Sequence, residues 1–199
     1  FSGYVQVFRH KAAWPDIASS MFASFAFFCF LTAVSFVYIG YFGVSEQMFA
    51  LLFGFNVLSL MSANLLNSRL VVRFGPQRML RFGLVVALSC ATLLSVFNYL
   101  QLGLWYTVFT IAPLMASLGL MATNADAMII MQFPHHSGTA TAVIGTLRFG
   151  SGALAGPLLA WFYTGDGLPF SLLMLSGVLA IGLSQLWRHA RHNPPAKPA

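Results

Sequence analysis

One arginine stands inside a long apolar run near the end of this chain. It is Arg148, in Thr139-Ala-Thr-Ala-Val-Ile-Gly-Thr-Leu-Arg-Phe-Gly-Ser-Gly152. At the centre of a membrane helix an arginine costs about 2.5–3.5 kcal/mol on insertion scales. The cost falls if the guanidinium faces water, a carboxylate or helix carbonyls, or if it reaches back to the interface. Gly145, Ser151 and Gly152 lie three and four residues away, and Thr141 one turn further. That small, polar stripe suits a partner helix or an aqueous cavity better than lipid. Asn56 lies about ten residues into another apolar run, roughly 15 Å deep at helical rise. An amide at that depth needs a partner, through an interhelical hydrogen bond or a substrate contact. Ser59, Ala63 and Asn67 follow on the same side. Ser24, Phe28, Thr32, Ser35 and Tyr38 fall near one helical face, which either packs on a neighbour or lines a cavity. Asp126 ends the stretch Thr123-Asn-Ala-Asp and is expected at a membrane interface.

These residues do not make a reaction centre. No His lies within an apolar run, and no two carboxylates share one. Phe149 occupies the place where an intramembrane serine protease turn needs glycine before Ser151. Cys29 and Cys90 lie in separate runs and offer no metal-ligand spacing, so they read as small packing residues. His135 and His136 sit in a loop beside Pro134 and read as a solvated pair. No phosphate loop or dinucleotide fingerprint is present. The expectation is a protein that is not an enzyme, with no cofactor and no metal.

Six apolar runs position these groups: Ile17–Tyr41, Gln47–Leu66, Leu80–Phe97, Leu104–Thr123, Thr139–Tyr163 and Leu168–Trp187. Each is long enough to cross a hydrocarbon core, which takes about 20 residues. Apolar residues make up 58% of the chain and charged residues 7%, which excludes a soluble domain. Nine of the ten Lys and Arg residues flank alternate ends of the runs: Arg9 and Lys11, then Arg69, Arg73, Arg78 and Arg81, then Arg188, Arg191 and Lys197. The gaps at Gly43–Glu46, Asn98–Leu102 and Thr164–Gly167 carry only Glu46 and Asp166. By the positive-inside rule both chain ends are cytoplasmic. The net charge of +6 therefore serves orientation and lipid headgroups rather than nucleic acid. The organisation expected is a cytoplasmic linker end (1–16), a six-helix transmembrane domain (17–187) and a disordered Pro-rich cytoplasmic tail (188–199). The chain opens on Phe1 rather than Met, which suits a piece of a longer membrane protein. Local signals include Ser45-Glu46 as a helix start, Gly75-Pro76 as a turn, and Trp105-Tyr106 as an interfacial belt. Pro113 reads as a kink and Gly152-x-x-x-Gly156 as a close-packing motif.

Four passages together resemble a known family. Val37-Tyr-Ile-Gly-Tyr-Phe-Gly-Val-Ser45 and Phe53-Gly-Phe-Asn56 are similar to the seventh and eighth helices of the Bcr/CflA branch of major facilitator transporters. Arg73-Phe-Gly-Pro-Gln-Arg78 resembles a worn copy of the superfamily's cytoplasmic motif, with Val72 at its acidic position. Ser137-Gly-Thr-Ala-Thr-Ala-Val-Ile-Gly-Thr-Leu147, on to Gly156-Pro157, resembles the eleventh helix. Arg148 stands where that branch has Gln, and Thr123 where it has Pro.

The resemblance implies an all-α integral membrane protein, the C-terminal six-helix half of a twelve-helix major facilitator fold. It implies proton-coupled export of small amphipathic drugs by alternating access, in a bacterial inner membrane. Its partners would be the substrate, protons, membrane lipid and an N-terminal six-helix half. The coupling carboxylate is expected in that other half, with Asp126 a weaker candidate here. Phe28, Tyr38, Asn56 and Arg148 would form the substrate pathway, and Arg73, Gly75 and Arg78 the gate. The alternatives are a porter for a sugar or organic anion, with Arg148 as the anion site, and a non-transporting six-helix subunit.

Overall fold

A computed structural model describes residue 7 and residues 9–192, with side chains to residue 190. Helix α1 runs Trp14–Ser35 and passes into a π-helical segment, Phe36–Tyr41. Then come α2 (Glu46–Phe74), α3 (Pro76–Tyr99), α4 (Leu104–Gln132), α5 (Ser137–Ala153), α6 (Ala155–Trp161) and α7 (Leu168–His192). Six of these stretches are long and apolar enough to cross a membrane, with α5 and α6 together forming one of them.

The helix starts follow local chemistry. The Ser45 hydroxyl caps α2 by accepting from the Met48 amide at 3.3 Å, with Glu46 in the first turn. A single residue, Gly75, separates α2 from α3 at φ +80°, a conformation glycine adopts without the clash a Cβ would bring. Pro76 then opens α3, where its missing N–H costs nothing.

The helices outrun the apolar stretches at the arginine-rich end. Helix α2 continues from Leu66 to Phe74 and α4 from Thr123 to Gln132. Hydropathy marks only the lipid-immersed part of a helix, whereas backbone hydrogen bonding continues until a cap or a proline ends it. Helix α4 runs unbroken through Pro113. The fifth crossing does break, at Leu154. Pro157 cannot donate to the Ala153 carbonyl, and its ring crowds that carbonyl. The Leu154 amide instead bonds the Ser151 carbonyl at 3.2 Å, a tighter turn. Helix α7 reaches His192, so the first part of the expected tail is helical. Residues 193–199, read as disordered, lie outside the described residues, as do residues 1–6 and 8 of the opening linker.

Helix α4 packs on α1, α2, α3 and α5, while α1 packs on α4, α5, α6 and α7, and α3 also meets α7. A four-helix centre of α1, α3, α4 and α7 results, with α2 against α4 and α5 against α1 as flanks. The two flanks are the barest crossings. Leu51, Phe55, Leu58, Met61 and Leu65 of α2 are all exposed. In lipid such a face carries no penalty, and association rests on packing and interhelical hydrogen bonds. Polar contacts of that kind join α2 to α4. Ser59 donates to the Ala112 carbonyl (3.0 Å), Thr123 to Asn64 (3.2 Å) and Asn124 to Asn67 (2.9 Å).

Candidate functional site

Arg148 is not alone. Its Nη1 donates to Asp126 Oδ2 at 2.6 Å, and its Nε to the Ser24 hydroxyl at 2.7 Å. Ser20 donates to the other oxygen of Asp126. Helices α1, α4 and α5 thus meet around one ion pair. Helix geometry explains the reach. Arg148 lies eleven residues into α5, about 16 Å from its start, while Asp126 lies six residues from the end of α4, about 9 Å. Long helical side chains lean toward the helix N-terminus, so Arg148 points back toward the loop joining α4 and α5. Asp126, expected at a membrane interface, is turned into the bundle toward Arg148 and Ser20. The pair is only partly screened from its surroundings, with side-chain exposures of 37% and 22%.

Beside this pair a cavity of about 210 Å³ opens between α1, α2, α4 and α5. Ser24, Phe27, Asn64, Gly119, Thr123 and Arg148 are among its lining residues. A guanidinium on this wall can hold an acceptor group of a ligand, or release Asp126 when the carboxylate takes a proton.

The remaining sequence-derived residues fall into separate groups. Tyr38 is fully buried, and Asn56 donates to its hydroxyl at 3.4 Å and to the Leu52 carbonyl at 2.9 Å. The Asn56 Oδ1 is buried without a partner among the described residues. Phe28 packs on α5 instead. A Cβ at Gly152 would lie 2.3 Å from its ring, and Phe149 meets it edge-on at 5.9 Å. Gly156 faces Thr32 one turn further along, so the small-residue motif seats the fifth crossing on α1. The stripe from Ser24 to Tyr38 is not one cavity face. Ser24 and Tyr38 are buried, while Thr32 and Ser35 are exposed. The π-helical segment adds a residue per turn and shifts the phase of the helix just where Tyr38 sits.

Arg73, Gly75 and Arg78 surround the α2–α3 turn. Arg73 stacks over Phe74 with its guanidinium carbon 5.5 Å from the ring centroid. Arg78 is exposed, and Val72, at 87% exposure, leaves no carboxylate there for either arginine. His135 and His136 are exposed between α4 and α5. Cys29 is buried in the apolar core and Cys90 half-buried against it.

A second ion pair was not foreseen. Asp16, in the first turn of α1, is fully buried and bound by Arg188 near the end of α7. Gln132 donates to its other oxygen at 3.0 Å, and Gln185 donates to Ser19 at 2.8 Å. Asp16 lay just outside the first apolar run, and Arg188 counted only as an anchoring charge. The available signal was parity: an even number of crossings returns the first and last helices to the same membrane face.

Comparison with known proteins gives the frame for this arrangement. The family model of the Major Facilitator Superfamily matches residues 8–199. The chain is 36% identical over 149 residues to a Bicyclomycin resistance protein homolog of Haemophilus influenzae, covering 73% of this chain and 37% of that protein. It is 26% identical over 132 residues to the Uncharacterized MFS-type transporter YdgK of Bacillus subtilis, covering 66% of this chain and 33% of that one. The matches span about a third of the length of these relatives. The first of them carries the resemblance to the Bcr/CflA branch, and six apolar crossings are what half of a twelve-helix transporter fold contains. With a match across nearly all of its length and six membrane-competent helices bundled without a strand among the described residues, this chain belongs to the Major Facilitator Superfamily, a family of transporters rather than enzymes.

Proposed function

We propose that the chain forms one six-helix wall of a secondary transporter that exports small amphipathic drugs in exchange for protons. The other wall would be a second six-helix half, the membrane a bacterial inner membrane, and both ends of this chain cytoplasmic. The observation that carries the reading is the ion pair of Asp126 with Arg148, the latter lining the cavity between α1, α2, α4 and α5. Drug export is favoured by the likeness to a protein named for bicyclomycin resistance. Proton coupling is favoured by the pair. A carboxylate whose charge is held by an arginine responds to a proton by loosening its hold on the guanidinium, while the hydroxyl can keep its hydrogen bond. Arg148 would then be free to engage substrate or a neighbouring helix. The sequence alone pointed to the other half for the coupling acid. The position of Asp126 makes it this half's proton acceptor in the reading proposed here.

The organic-anion alternative needs a free guanidinium. Pairing to Asp126 neutralises Arg148 and weighs against it. The test uses the full-length transporter in proteoliposomes, with an internal pH dye and a fluorescent cationic drug. Asp126→Asn is expected to bind drug but to lose at least about 90% of pH-driven exchange, a barrier increase of about 1.4 kcal/mol. Arg148→Leu should reduce export while still inserting in the membrane. Wild-type exchange rates in Asp126→Asn would remove Asp126 from coupling. Preferred flux of anionic metabolites would replace drug export altogether.

A further inference from the structure

A second, larger cavity lies at the opposite, arginine-poor end of the bundle. It measures about 460 Å³ and sits between α1, α6 and α7. This is within the range of about 300–1,000 Å³ typical of sites for drug-sized molecules. Its wall is apolar and aromatic: Phe36 from the π-helical segment, Leu159 of α6, Tyr163 just after α6, and Phe170 of α7. Phe36 and Tyr163 meet edge-on with ring centroids 5.0 Å apart. One carboxylate, Asp166, stands among them.

The carboxylate is fixed in place. Its Oδ1 accepts from the Thr164 hydroxyl (2.6 Å) and from the Leu168 amide (3.1 Å), so it caps α7. Its Oδ2 has no partner among the described residues. No Lys or Arg occurs in the gaps 42–45, 100–103 and 164–167 that share this end. An aromatic cavity with an uncompensated carboxylate favours a cation, since ring faces and carboxylate attract the same charge. It disfavours an anion, and a plain acyl chain would gain nothing from Asp166. The positive end of the α7 dipole offsets part of the carboxylate's field, so the rings must carry a share of the affinity.

We infer that this cavity is a binding site for lipophilic cations, separate from the Arg148 cavity and placed on the far side of the membrane from the arginine-rich end. Ser24 of the first cavity and Thr32 of the second are eight residues apart on α1, about 12 Å along the axis. A molecule leaving the first cavity for the far side therefore has the second within reach. This assignment rests on the export reading for its role as an exit site, but not for its chemistry.

The test measures equilibrium binding of tritiated tetraphenylphosphonium to the protein in lipid nanodiscs, with no gradient and with empty nanodiscs subtracted. Asp166→Asn keeps a residue able to cap α7, so folding is preserved. Asp166→Asn and the double variant Phe36→Leu/Tyr163→Leu should each weaken binding by about three-fold or more, the effect expected for loss of a partly exposed cation contact. Tetraphenylborate, the same shape with opposite charge, should show no difference between wild type and Asp166→Asn beyond a modest gain. Unchanged phosphonium affinity in both variants, or equal retention of the two probes by the wild type, overturns the site. A wild type that exports cations while these variants bind normally removes the exit site and leaves the export reading standing. A wild type that binds through Asp166 but drives no efflux does the reverse.

Discussion

At the scale of single residues, two ion pairs tie helices together inside the bundle, Arg148 with Asp126 and Arg188 with Asp16. Arg148 was legible in the sequence because a guanidinium in an apolar run demands compensation. Its partner was not, because Asp126 reads as interfacial by counting, and only the lean of the arginine side chain brings the two together. Asp16 and Arg188 are more deeply enclosed, and no property of either neighbourhood announced them. Removing one partner of a buried pair leaves the other charge stranded, at a cost of about 3–5 kcal/mol. Asp16→Leu alone should therefore lower unfolding stability in detergent by several kcal/mol, and Asp16→Leu/Arg188→Leu should recover much of that loss. Additive losses in the double variant would show that the two charges do not depend on each other. Tyr38 and Asn56 were singled out separately and do meet, through a hydrogen bond buried in the bundle.

At the scale of elements, the six crossings and their caps were readable from hydropathy and from Ser45, Gly75 and Pro76. The lengths of α2 and α4 were not, since hydropathy is silent once a helix leaves the lipid. The phase shift in the first crossing was not readable either, because a π-helical turn depends on which carbonyl each amide reaches. The small-residue motif of the fifth crossing correctly marked close packing. Gly152 lies so near the Phe28 ring that any side chain there must displace it. Gly152→Val is expected to destabilise the protein by about 1–3 kcal/mol through overpacking, seen as a lower melting temperature in detergent. Adding Phe28→Ala should restore part of the loss. If it restores none, the strain lies elsewhere in the fifth crossing.

At the scale of the whole molecule, the one-sided distribution of Lys and Arg predicts orientation as well as class. Single cysteines at Glu46 and Asp166 should label from outside the cell, and one at Arg78 only from inside. Reversed labelling would turn the assignment of both cavities upside down. The bundle also separates roles by position. The centre of α1, α3, α4 and α7 holds the enclosed Asp16–Arg188 pair, while the flank α2 presents a bare apolar face. The break at Leu154 adds a mechanical property to this plan. It divides the fifth crossing into a part tied by Arg148 and Ser151 to α1 and α4, and a short part with no side-chain hydrogen bond of that kind among the described residues. A change in bilayer thickness or lateral tension bends a helix where its hydrogen-bond ladder is already interrupted. Deformation of the leaflet around α6 would then be absorbed at Leu154 rather than passed to the ion pair, so the Arg148–Asp126 contact would keep the same geometry in thick and thin membranes.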